Sequence, residues 1–153
     1  MGATQRLAKL GIVLPSPMPP AGAYVPARRV GDLLYVSGHG PIDGDKIVTG
    51  KVGSELDLAT ARHAARLTGL SILATLKAEL GSLDRVVQVV KVFGMVNAAP
   101  GFEQMPAVID GCSELLVEVF GKAGQHARTA VGMAELPFGI AVEIELIAAV
   151  RDR

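Results

Sequence analysis

RTAVGMAELPFGIAVEIELIAAV, residues 128–150, reads as two strands joined through Pro137 and Gly139. In the second strand Val142, Ile144, Leu146 and Ala148 alternate with Glu143 and Glu145. A period of two puts the apolar set on one face and the carboxylates on the other. The apolar set asks for a covering layer. The carboxylates, in so apolar a strand, need a cation or a donor nearby, because desolvation disfavours their charged form. Arg128 is the candidate. An antiparallel pairing of the two strands through a tight Pro137-Phe138-Gly139 connection would bring it towards Glu143. On the residues alone, a structural ion pair and a ligand site both stay open.

The elements upstream supply the covering layer. Val108, Ile109, Cys112, Leu115, Leu116, Val119 and Phe120 recur at spacings of three and four between Pro106 and Gly121, which predicts an amphipathic helix with proline in its first turn. Before it, RVVQVVKVFGMV (85–96) is a β-branched run and predicts a strand covered on at least one side. A longer helix is signalled by Ser54 with Asp57 three residues on, resembling a capping box with Asp for Glu, and stops near Gly81. Leu58, Ala61, Ala65, Ile72, Leu76 and Leu80 line one face of it, leaving Arg62, Arg66 and Lys77 wet. YVPARRV, a Gly31-Asp32 turn and LLYVSG read as an antiparallel hairpin. Pro41 to Gly53 is a surface excursion with a short strand at Lys46 to Val48. Residues 1–21 hold a short helix, Thr4 to Leu10, and a tether kept extended by Pro15, Pro17, Pro19 and Pro20, ahead of one domain over 22–153.

The order β-β-α-β-α-β-β places two helices on one face of an antiparallel or mixed sheet, an α+β architecture. The strands are too apolar for the opposite face to stand in water. Self-association through that face is the expectation. Composition narrows function. Fifteen Lys plus Arg balance fifteen Asp plus Glu, there is no Trp, and Phe plus Tyr number six, so phosphate capture and base stacking are poorly served and a nucleic-acid partner is not expected. No apolar run approaches the ~18 residues of a membrane span. One cysteine excludes an internal disulfide and fits a reducing compartment, with a cytoplasmic location as default. Cys112 lies on the apolar stripe of its helix and reads as a buried structural thiol. His39, His63 and His126 show no ligand spacing, so neither metal nor cofactor is expected. His126, two residues before Arg128, shares its side of a strand.

Two segments carry a further signal. HARTAVGMAELPFGIAVEIELIA (126–148) resembles the C-terminal signature of the YjgF/Rid family, an Arg-Ser/Thr followed by Leu-Pro and a Val-Glu-Ile-Glu strand. AGAYVPARRVGDLLYVSGHGP (21–41) resembles that family's Gly-x-Tyr segment and Ser-Gly-Gln-x-Pro loop. The N-terminal helix and GKVGSELDLATA look like a longer subgroup. The resemblance implies a chorismate-mutase-like fold, a homotrimer whose three sheets close a central β-barrel, and ligand clefts between subunits. It implies that Arg128 grips a substrate carboxylate, that Glu143 positions the hydrolytic water, that Tyr24 closes over the ligand, and that backbone amides at Gly38 and Ala130 complete the grip. Two residues depart from the pattern. Ala130 stands where many members carry cysteine, which excludes a thiol there, and His39 stands where the loop usually has glutamine, either tuning ligand choice or satisfying nearby backbone groups.

The activity implied is hydrolysis of small enamine or imine intermediates derived from amino acids, giving a keto acid and ammonia. A non-catalytic trimer that binds a small carboxylate metabolite is the alternative. The ribonuclease or translation-inhibitor activity attached to the family by name ranks third, given the neutral charge and few aromatics.

Overall fold

In the computed structural model, which describes residues 1–152, the chain runs α1 (Ala3–Leu10), β1 (Ala27–Val30), β2 (Leu33–His39), β3 (Ile42–Asp43), β4 (Lys46–Ile47), α2 (Leu58–Leu80), β5 (Val86–Asn97), α3 (Met105–Phe120), β6 (Ala127–Met133) and β7 (Val142–Val150). Five strands form one mixed sheet in the order β1-β2-β7-β5-β6, and β3 and β4 make a separate small hairpin. The α+β arrangement read from the sequence is the one observed.

α2 begins at Asp57 itself, whose carboxylate accepts from Thr60 N at 2.8 Å; Ser54 lies outside the helix. The cap is therefore a direct side-chain cap at Asp57, and the predicted reciprocal box with Ser54 does not form. α2 buries more than a stripe, because it is wedged between the sheet and α3: Ala64, Gly69, Ser71 and Ala74 are buried along with the predicted face. Gly111 on α3 lies against the backbone carbonyl of Arg62, an approach that leaves no room for a side chain. Arg62 and Arg66 cross this seam to Glu114 and Glu118 at its wet edge. α1 lies against α3, with Ala3 and Leu7 in the core, and its amide at Thr4 is capped by Asp84 Oδ1 at 3.2 Å because Gly2 has no side chain to offer.

The two final strands do not pair. β7 lies between β2 and β5, antiparallel to both, while β6 pairs in parallel with the far side of β5. α3 carries the chain back along β5, so β6 starts level with Lys91 and runs in the same direction. The Pro137–Gly139 turn then crosses the end of β5, where Asn97 N donates to Ala141 O at 2.9 Å. Val142, Ile144 and Ala148 are fully buried, which suits the central position, while β6, half-exposed along its length, suits the edge. The expected Arg128–Glu143 juxtaposition within one chain is thereby excluded.

Three register shifts change which residues face the helices. On β2 an extra residue between Val36 and His39 turns Leu34, Val36 and His39 all inward. On β5 two bulges turn Val86, Val89 and Val92 inward and leave Val87 and Val90 in solvent. No helix among the described residues is long and apolar enough to cross a membrane.

Candidate functional site

The residues singled out in the sequence fall into two separate groups. Tyr24, Gly38, His39 and Glu143 border a cavity of about 220 Å³. Arg128 and Ala130 stand on the edge strand β6. Val92, buried under the helices, pairs with Arg128 on one side and Leu146 on the other, whereas Glu143 pairs with Met95. Residues paired across strands share a face, so Arg128 points to the helix side and Glu143 to the open side.

Glu143 is seated by the β2 bulge. The bulge puts Ser37 and Gly38 over β7, and a β-carbon on Gly38 would lie 2.6 Å from Glu143 Oε2. Only glycine lets the carboxylate sit there. Burial, and after it the neighbouring charge of Glu145, hold the Glu143 carboxyl above the usual range. Ser37 ties this bulge to the proline-rich segment, its amide donating to Pro26 O at 2.9 Å and its hydroxyl to Val25 O at 2.7 Å. That segment folds back so that Met18 to Ala21 wall the cavity, and Tyr24 Oη, accepting from Ala21 N at 3.2 Å, holds it there. Tyr24 is half exposed, with its ring between this cavity and a larger one of about 670 Å³ on the open sheet face, where Tyr35, Phe93 and Ile147 meet Arg28, Lys91 and Glu145.

His39 is buried. Its Nδ1 donates to Ser37 O at 2.6 Å, so Nε2 accepts from the Thr75 hydroxyl at 2.8 Å. Burial lowers its pKa and favours the neutral ring, which satisfies a nearby backbone carbonyl and joins the bulge to α2.

Arg128 heads a chain of polar contacts on the other face. Its Nη1 donates to Asp110 Oδ1 at 2.6 Å and to Ser113 Oγ at 3.1 Å. His126 Nδ1 donates to Gly124 O at 2.6 Å, so its Nε2, 2.9 Å from Ser113 Oγ, accepts from that hydroxyl. Desolvation, together with the Arg128 charge, lowers the His126 pKa and favours this neutral form. Both contacts to the guanidinium use Nη1, which leaves the Nη2–Nε edge for a planar anion. Asp110 and Ser113 were not singled out in the sequence. Their signal was there, as two polar residues three apart beside the Ile109–Cys112 stripe, on the helix face that looks towards β6.

Cys112, fully buried against Gly69, has its thiol pushed up to about 12 by burial and plays no part in this chemistry. Among the described residues no group of three His, Cys, Asp or Glu side chains is placed to hold a metal ion. One chain thus presents a cation ready for a carboxylate and a carboxylate able to move a proton, with the sheet between them.

A family model described as "YjgF/chorismate_mutase-like, putative endoribonuclease" matches residues 4–149. The chain is 43% identical over 143 residues to Protein TCP17 of Trypanosoma cruzi, covering 92% of this chain and 89% of that one. The crystal structure of Atu1372 from Agrobacterium tumefaciens, of unknown function, superposes with a TM-score of 0.90 at 44% identity, covering 97% and 92% of the two chains. RidA from the Antarctic bacterium Psychrobacter sp. PAMC 21119 superposes at 0.61 with 28% identity, covering 88% and 94%.

Proposed function

The chain belongs to the YjgF/chorismate-mutase-like family, and on that premise we propose that it hydrolyses small enamine or imine intermediates derived from amino acids, releasing a keto acid and ammonia, in a cleft that neighbouring copies complete. The observation that carries this reading is Glu143, a carboxyl held above its usual range in a small cavity with a tyrosine beside it. The Nη2–Nε edge of Arg128 takes the substrate carboxylate in two parallel hydrogen bonds. Ionised Glu143 accepts a proton from water as its oxygen attacks the imine carbon, and the resulting carbinolamine takes that proton on nitrogen. Collapse breaks the C–N bond as the hydroxyl proton passes, by way of Glu143, to the departing nitrogen, so one imine plus one water become one ketone plus one ammonia.

Since one chain keeps Arg128 and Glu143 on opposite faces, the cleft joins the β6 edge of one copy to the open face of another, and a homotrimer closing a β-barrel is the assembly proposed. The apolar open face, with Val30, Tyr35, Val87 and Val90 exposed, supports it.

A second reading, a trimer that binds a small carboxylate without turning it over, is favoured by Ala130 and by the higher superposition with a protein of unknown function than with a protein named RidA. Paired variants separate the two. Arg128→Lys keeps the charge but loses the two-point grip, and weakens 2-oxobutyrate binding roughly tenfold or more. Glu143→Gln keeps binding while ammonia release from an imine falls on the order of 10²–10⁴-fold. Ligand binding by the parent without ammonia release selects the second reading. Parental affinity and rate in both variants overturn the site.

A further inference from the structure

We infer that Phe138 is a specificity-determining residue that selects ligands with an apolar side chain for the cavity around Glu143, an inference that rests on the site proposed above. Phe138, at φ 60 and ψ 12, is the one non-glycine among the described residues with positive φ. A bulky side chain without a local polar contact is disfavoured there, where glycine or asparagine would be at ease. The residue is 79% exposed, so core packing does not offset the strain.

The turn is nevertheless held firmly. Leu136 is buried before it, Gly139 O accepts from Gly50 N at 3.0 Å, Gly139 N donates to Leu136 O at 3.1 Å, and Ile140 bridges to Thr49. A strained backbone that the surroundings over-determine, carrying an exposed aromatic ring, marks a residue kept for what it touches outside the core. What it borders is the Glu143 cavity, whose other walls include Met18, Pro19, Ile47 and Ile140. With His39 neutral and already bonded, Glu143 is the one group there that carries charge. A ligand therefore directs its nitrogen-bearing carbon to Glu143 and leaves the rest to apolar walls and the Phe138 ring. At about 220 Å³ the space suits an aliphatic or aromatic amino-acid side chain rather than a nucleotide.

The test is a titration of the full chain with two keto acids, 2-oxobutyrate and 4-methyl-2-oxopentanoate, read by calorimetry beside the melting temperature. The parent binds the branched acid about tenfold more tightly, as two additional buried carbons imply. Phe138→Gly relieves the positive-φ strain, so its melting temperature holds or rises, while the preference falls to about twofold or less. Phe138→Leu, which restores apolar bulk, recovers the preference. Failure of the parent to bind either acid overturns the proposed site and this inference together. Binding of both without preference, or a preference that survives in Phe138→Gly, overturns this inference alone.

Discussion

The Glu143 carboxylate rests on the α-carbon of Gly38, so close that a β-carbon there would stand 2.6 Å from Oε2. Gly38 does not have positive φ, so alanine is tolerated by the backbone and excluded by the carboxylate. Gly38→Ala is expected to leave the melting temperature unchanged or raise it slightly and to lower imine hydrolysis on the order of 10²-fold, since the carboxylate has to move about an ångström. Ammonia release at the parental rate would show that Glu143 works without this seat.

Asp110 orients Arg128 through a 2.6 Å contact to Nη1. Asp110→Ala lets the guanidinium swing and is expected to raise KM about tenfold with a smaller change in kcat, the split that marks a binding interaction. Asp110→Asn keeps an acceptor at that place and recovers most of the loss. Steady-state kinetics of both variants decide this. An unchanged KM in Asp110→Ala means the pair serves stability alone.

The pH dependence follows from Glu143. Burial first and Glu145 second raise its pKa, so it ionises at higher pH than an ordinary glutamate at about 4.3, and the acid limb of kcat/KM lies above that value. Glu145→Gln removes the like charge and moves the limb to lower pH. Stability carries the same sign. The folded chain holds this proton longer than the unfolded chain, so stability is lost as pH rises from about 4.3 through the folded pKa, and less is lost in Glu145→Gln. A limb that stays put in that variant would remove Glu145 as a cause.

The sequence made the helices legible because their apolar residues recur every three or four positions and Gly81 and Gly121 stop them. It made β7 legible through strict alternation, and with it the face on which Glu143 stands. What it could not show was which strand lies beside which. Strand order depends on long-range pairing, and nothing within residues 128–150 reveals that β5 takes the place between β6 and β7. A single added residue on β2 is equally silent in the sequence and reverses the side of His39. Asp110 escaped notice because its partner, Arg128, is eighteen residues on, across a helix-to-strand connection whose geometry only the fold sets.

In the proposed assembly Arg128 of one copy and Glu143 of another form one site, and mixed assemblies test that shared site. Arg128→Ala and Glu143→Gln, each inactive alone, are unfolded together, refolded at equal amounts, and assayed for ammonia release from an imine. Random assembly through a head-to-tail interface joins an intact Arg128 to an intact Glu143 in about a quarter of the clefts, so the mixture is expected to regain about a quarter of the parental activity. A mixture that assembles yet stays as inactive as its components would contradict the shared site.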